Sequence, residues 1–167
     1  MTSFIRAVAA AVLLLSSAEL TAQATSVDVY TAEQLASDSA QLRSKPKFST
    51  GLSGETLQKY PNHYTMLIVR DKDGEAELHQ NVADVFFIVS GKAELRTGGV
   101  MQNIRNTDPG EKRGSDLAGA ASVTLKAGDI VHIPANVPHQ LRVSSGAGFT
   151  YFVVKISEAP AASQPSH

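Results

Sequence analysis

Two short stretches of this 167-residue chain group side chains able to do metal or acid–base chemistry. The first is Glu77-Leu78-His79, followed after four residues by Asp84 and after six more by Gly91. Successive strand side chains point to opposite faces, so Glu77 and His79 share a face, and Asp84 opens the next β-type run, where it can pair alongside them. The second stretch runs from Gly128 through Asp129, His132, Pro134, Asn136 and Pro138 to His139. It reads as a strand ending in a proline-rich turn that presents a histidine as the next strand begins. Brought together in one barrel, the two stretches supply three or four hard or borderline donors. The chain has no cysteine, so any metal must be held by His, Asp, Glu or amide oxygen.

The surrounding sequence predicts the elements that must position these groups. Short β-type runs are expected at 64–69, 76–79, 85–89, 93–96, 122–125, 130–133, 140–143 and 149–156. Asp73-Gly74, Ser90-Gly91, Gly98-Gly99, Ala127-Gly128 and Gly146 to Gly148 punctuate them as turns. Many short strands at this spacing imply a sandwich or small barrel. Thr31 and Gln34 have capping-box spacing ahead of Leu35 and Leu42, predicting one helix from Ala32 to Arg43 that ends before Pro46. Residues 44–63 read as a loop, with a short helical turn near Glu55 to Lys59. The polar stretch from Asn103 to Ala121 is too long for a hairpin turn and is expected to cross one face of the barrel, as lid loops do. Residues 157–167 read as a disordered tail.

The N-terminus carries Arg6, an apolar run from Ala7 to Leu15 and the small-residue sequence Ala22-Gln23-Ala24, the three parts of a secretory signal peptide. The apolar run is well short of the roughly 20 residues that cross a bilayer, so no permanent membrane anchor is expected. Residues 1–24 are therefore set apart, and a periplasmic or secreted location is expected for the rest, read as an N-terminal helix and loop (25–63) and a barrel (64–156). Fifteen Lys and Arg against sixteen Asp and Glu give a net charge of -1, which offers no footprint for nucleic acid. No serine stands in a nucleophile elbow and no glycine-rich loop precedes a helix, which removes triad hydrolases and nucleotide-cofactor enzymes.

The two stretches together resemble the paired motifs of the cupin superfamily, whose fold is a double-stranded β-helix. The second motif, G-x5-P-x-G-x2-H-x3-N, is matched by Gly128, Pro134 and His139, with Asn136 in place of the glycine and Val143 in place of the final Asn. Asn is a tolerable substitute because it also adopts left-handed backbone. The first motif, G-x5-H-x-H-x3-4-E-x6-G, is matched by His79, Asp84 and Gly91, with Glu77 where the family has its first His, while Gly74 lies too close to serve as its opening glycine. The resemblance spans about residues 64–156 and implies an all-β jelly-roll barrel with one N-terminal helix packed outside it.

Carried over residue by residue, the resemblance implies His79 and His139 as nitrogen ligands, Asp84 as an oxygen ligand, and Glu77 as a further ligand or a proton-transfer group beside the metal. Such a set suits Fe, Mn, Ni or Zn as a divalent ion. It also implies a homodimer, because a second copy commonly buries the remaining sheet edge. His132 is expected to pack or to support a ligand, His63 to lie on the surface, and His167 in the tail has no role. Lys112 and Arg113 are expected to be solvated, with a substrate-carboxylate clamp as the alternative, and Phe86, Phe87, Tyr151 and Phe152 to be core. Two functions follow: a divalent-metal-dependent enzyme of dioxygenase, lyase or isomerase type acting on a small organic molecule, or a barrel that binds a small ligand without turnover.

Overall fold

A computed structural model describes residues 27–45, 51–144 and 146–158. The expected signal peptide, Pro46, His167 and nearly all of the expected tail lie outside these residues. The elements in chain order are helix α1 (Ala32–Ser44) and strands β1 (Leu52–Lys59), β2 (His63–Arg70), β3 (Ala76–His79), β4 (Val82–Ser90), β5 (Lys92–Thr97), β6 (Val100–Gln102), β7 (Arg105–Asn106), β8 (Glu111–Gly114), β9 (Asp116–Ala118), β10 (Ala121–Lys126), β11 (Ile130–Ile133), β12 (His139–Arg142) and β13 (Phe149–Ser157). They form one sheet in the order β1-β2-β13-β4-β11, a second in the order β10-β5-β12-β3-β8-β7, and the small pair β6-β9. Among the described residues no helix is long and apolar enough to cross a membrane.

Side-chain alternation explains why the two large sheets face one another. On β2, Met66, Ile68 and Arg70 line a cavity between the sheets, while Leu67 and Val69 pack with Leu42 of α1 on the outer face. On β13, Tyr151, Val153 and Lys155 point inward in the same way. The main core joins Ile68, Phe86, Leu95, Leu125, Leu141, Phe149 and Val153 from both sheets. Gly91 turns between β4 and β5 with φ 86°, and a Cβ there would run into the Gly148 carbonyl, so only glycine closes this corner.

The helix begins as its capping box predicts, with the Thr31 hydroxyl accepting from the Gln34 amide at 3.1 Å. Thr31→Ala is expected to lower stability by about 1 kcal/mol, seen as a fall in the urea midpoint with an unchanged slope.

Two segments differ from their expectation. Residues 44–63 are not simply loop, and the helical turn near Glu55 is absent, because Leu52–Lys59 is edge strand β1, paired antiparallel with β2. Its sequence has little β propensity, and pairing with β2 decides its conformation. The stretch from Asn103 to Ala121 is not a lid crossing the barrel. It contains β7, β8 and β9, and β8 pairs with β3 from Ala76↔Gly114 to His79↔Glu111.

Candidate metal centre

Two cross-strand rows on facing sheets build the site. On one sheet, β12, β3 and β8 place His139 opposite Glu77 and Glu77 opposite Arg113, with His79 opposite Glu111 one step along. On the other, β2, β13 and β4 place Tyr64 opposite Lys155 and Lys155 opposite Asp84. The turn that delivers His139 is pinned to the end of β3. Asn136 adopts φ 64°, its amide donates to the His79 carbonyl at 2.8 Å, and its side chain donates to the Gln80 carbonyl at 2.9 Å. The left-handed position expected from the Asn-for-Gly replacement is thus what locks one histidine strand to the other.

Both imidazoles are buried and oriented alike. The Glu111 carboxylate accepts from His79 Nδ1 at 2.5 Å, and the Val137 carbonyl accepts from His139 Nδ1 at 3.0 Å. Each acceptor fixes the ring proton on Nδ1 and leaves the Nε2 lone pair facing the cluster. His79 Nε2 lies 3.6 Å from Glu77 Oε2 and 3.4 Å from Asp84 Oδ2, and His139 Nε2 lies 3.7 Å from Asp84 Oδ2. Donors bound at about 2.1 Å to one tetrahedral ion stand roughly 3.4 Å apart, so these spacings fit an ion. Glu77, His79 and His139 offer donor atoms all within 4.8 Å of one another.

A second feature of the cluster is its own cation. Lys155 Nζ donates to both Asp84 oxygens, at 2.7 and 2.9 Å, and to His79 Nε2 at 3.1 Å. Burial alone would push this ammonium down, but Asp84, Glu77 and Tyr64 outweigh it and hold the group charged. Asp84 is 2% exposed. Its burial raises the carboxyl pKa, yet the adjacent His79 ring and the Lys155 ammonium bring it from 3.8 down to about 2.

Asp84 therefore contributes stability that is complete above its ordinary pKa and lost as pH falls through its folded value. The shift is worth about 2 kcal/mol. Urea unfolding as pH falls from about 4 to about 2 is expected to show a correspondingly smaller loss in Asp84→Asn than in the parent.

Burial also raises the Glu77 carboxyl, but Arg113, His139, Arg70 and Lys155 together hold it below the usual range, so it is ionised at neutral pH. Burial keeps His139 below its ordinary value against the pull of Glu77 and Asp84, so it presents a neutral imidazole. An ionised carboxylate and a neutral imidazole are the forms that bind metal. Beside them lies a cavity of about 180 Å³ lined by Arg70, Glu77, Asp84, Arg113, His139 and Lys155 against walls that include Ile68, Leu141 and Val153. A larger, more open groove of about 680 Å³ between α1 and the outer faces of β4 and β13 holds no such cluster of donors.

Against solved structures, the chain aligns with a protein of double-stranded β-helix domain from Klebsiella pneumoniae at a TM-score of 0.51 and 14% identity, over 81% of this chain and 95% of that one. The fold is a double-stranded β-helix barrel. Similarity also extends to a Cupin 2 conserved barrel domain protein from Salinispora arenicola (TM-score 0.48, 18% identity, 69% of this chain and 83% of that chain). KdgF from a Halomonas species is similar at a TM-score of 0.49 and 11% identity, over 68% of this chain and 87% of that chain. No family model and no curated protein matches the sequence.

Within the barrel, Glu77, His79, Asp84 and His139 come together, although both Asp84 oxygens are engaged by Lys155. His132 is a correction: it is exposed on edge strand β11 beside the exposed Ile130, and neither packs nor supports a ligand. His63 stands at the start of β2, stacked on Tyr60 with ring centroids 4.4 Å apart. Arg113 is not simply solvated, since it lines the cavity 3.6 Å from Glu77, whereas Lys112 faces away from it. Phe86 and Tyr151 are core; Phe152 and the partly exposed Phe87 pack on the outer face.

Four residues of the cluster were not singled out from sequence: Arg70, Glu111, Lys155 and Tyr64. For Arg70 and Lys155 the signal was available, because each follows inward-facing residues at two-residue steps, Met66 and Ile68 in one case, Tyr151 and Val153 in the other.

Proposed function

We propose that this chain is an exported cupin enzyme in which Glu77, His79 and His139 hold one divalent ion of Fe, Mn, Ni or Zn, and which acts on a small organic molecule by dioxygenase, lyase or isomerase chemistry. The observation that carries the reading is the shared orientation of the two imidazoles. Each gives its Nδ1 proton to a dedicated acceptor and turns Nε2 toward the same carboxylates. When bound, the ion would polarise a substrate oxygen or lower the pKa of a water.

The chain's own residues would do the rest. Glu77, ionised, serves as a ligand or accepts a proton at Oε2; it has no proton to give at neutral pH. Tyr64, whose pKa burial raises despite the nearby charge of Lys155, keeps its phenolic proton and can donate a hydrogen bond. Loss of the Glu111 acceptor is expected to weaken metal binding about 10- to 100-fold in Glu111→Ala, measured by competition with a chelating dye.

A second reading is a barrel that binds without turnover. It is favoured by Lys155, whose ammonium itself satisfies Asp84 and His79. Assays with small hydroxylated aromatics, sugars and keto acids separate the two. Turnover lost on chelation and restored by metal supports the enzyme, whereas ligand binding without turnover under all metals supports the binder. Export and a homodimer belong to the same proposal. N-terminal sequencing of the mature protein should give Thr25 first, and sedimentation should give twice the chain mass; a retained Met1 or a single-chain mass would reject the respective part.

A further inference from the structure

We propose that the open groove between α1 and the outer face of the five-stranded sheet binds a single-chain carboxylate of fatty-acid type, with its apolar chain on the sheet and its head at Arg43. This site is separate from the metal centre and does not rest on it. The groove encloses about 680 Å³, inside the roughly 300–1,000 Å³ range of small-ligand sites.

The composition of the helix explains why the groove exists. Leu35 and Leu42 pin α1 to Leu67 and Val69 on β2. Ala32, Ala36 and Ala40, four residues apart, share one face of α1 and line the groove, and their one-carbon side chains leave the space between helix and sheet unfilled. Across from them stand Phe87 and Val89 of β4 and Phe152 of β13. Phe87 and Phe152 meet edge to face with ring centroids 6.0 Å apart, yet Phe87 keeps 39% of its surface exposed. Ile130, opposite Phe87 on β11, is 65% exposed and carries the apolar surface on to the sheet edge. Contiguous apolar surface of this kind marks a binding groove.

Charge decides what sits there. Arg43, in the last turn of α1, is the one charged side chain that lines the groove, and no carboxylate lines it. Its Nη2 donates to Thr150 Oγ1 at 2.7 Å and to Ser90 Oγ at 3.2 Å, which holds the guanidinium against the sheet. Both acceptors are neutral hydroxyls, and among the described residues no carboxylate forms an ion pair with Arg43. The residue is exposed, so an anion reaches it without displacing an acidic partner. A ligand that is apolar along its length and singly anionic at one end complements this wall and this cation. From Ala32 to Arg43 the helix runs about 16 Å, room for an acyl chain of about ten carbons.

The test is a calorimetric titration of the full, metal-free chain with decanoate, octanoate and decanol. Decanoate is expected to bind more tightly than decanol, and more tightly than octanoate by about fourfold for each methylene buried. Arg43→Met is expected to weaken decanoate about tenfold and leave decanol unchanged, so that the preference for the acid disappears, and Arg43→Lys to retain part of it. Ala36→Trp fills the groove and is expected to abolish binding of both. Because Ala36 is exposed, tryptophan there leaves the core intact, and this variant decides should Arg43→Met fail to fold. The double variant His79→Ala, His139→Ala is expected to bind decanoate as the parent does.

Equal binding of acid and alcohol, or undiminished decanoate binding in Ala36→Trp, would overturn the proposal. Loss of decanoate binding in His79→Ala, His139→Ala would overturn it by placing the acid at the metal centre. A dimer that Ala36→Trp dissociates, with no decanoate bound by the parent, would overturn it by giving the groove to a second copy of the chain.

Discussion

Replacing Lys155 by methionine is expected to lower the melting temperature of the metal-free protein by roughly 10 °C, a loss of about 3–5 kcal/mol. The ammonium is the partner of both Asp84 oxygens and of His79 Nε2, with 16% of its side chain exposed and Asp84 almost wholly buried. Methionine keeps much of the volume but leaves a buried carboxylate with no cation, and breaking one side of a buried pair is far worse than removing both. A divalent ion is expected to repair the defect, because it supplies the missing positive charge to Asp84 and takes the lone pair on His79. Saturating zinc or manganese should therefore raise the melting temperature of Lys155→Met much more than that of the parent, and the variant should bind metal more tightly. An equal loss with and without metal would show that Lys155 and the ion do not share a seat.

The double variant His79→Ala, His139→Ala is expected to lose metal binding by more than about 100-fold while keeping the fold. Outer-shell partners alone are typically worth 10- to 100-fold, so removing both nitrogen donors must exceed that. Survival of the fold is expected because the main core lies in Ile68, Phe86, Leu95, Leu141 and Val153, none of which contributes a donor. Circular dichroism checks the fold and a metal titration checks the site. Full metal retention in a folded double variant would sink the ligand assignment.

How much of this was legible in sequence depends on where each element gets its stability. The strand holding Lys155 and the one holding Arg70 announce themselves through two-residue alternation and flanking turns, and α1 through Thr31 and Gln34. β1 does not, because Leu52 to Lys59 becomes a strand only by pairing with β2. The segment 103–121 is similar: its strands are at most four residues long, mostly polar, and paired to distant partners. That is why Glu111, 32 residues from His79, could not be foreseen as its acceptor.

Within the site, Glu77, His79, Asp84 and His139 were legible because a motif fixes their spacing. Lys155 and Arg70 were visible only as charges on an inward-facing position, which sequence alone reads as a strand end reaching solvent. His132 illustrates the reverse, since its strand lies at a sheet edge and turns Ile130 and His132 outward.

The most direct measurement is elemental analysis of the protein purified without chelator or metal-affinity resin. The account predicts close to one equivalent of iron, manganese, nickel or zinc per chain, falling to background in His79→Ala, His139→Ala. No metal in the parent, even after reconstitution with each of the four ions, would contradict it, and the carboxylates of the cluster would then be balanced by Lys155, Arg70 and Arg113.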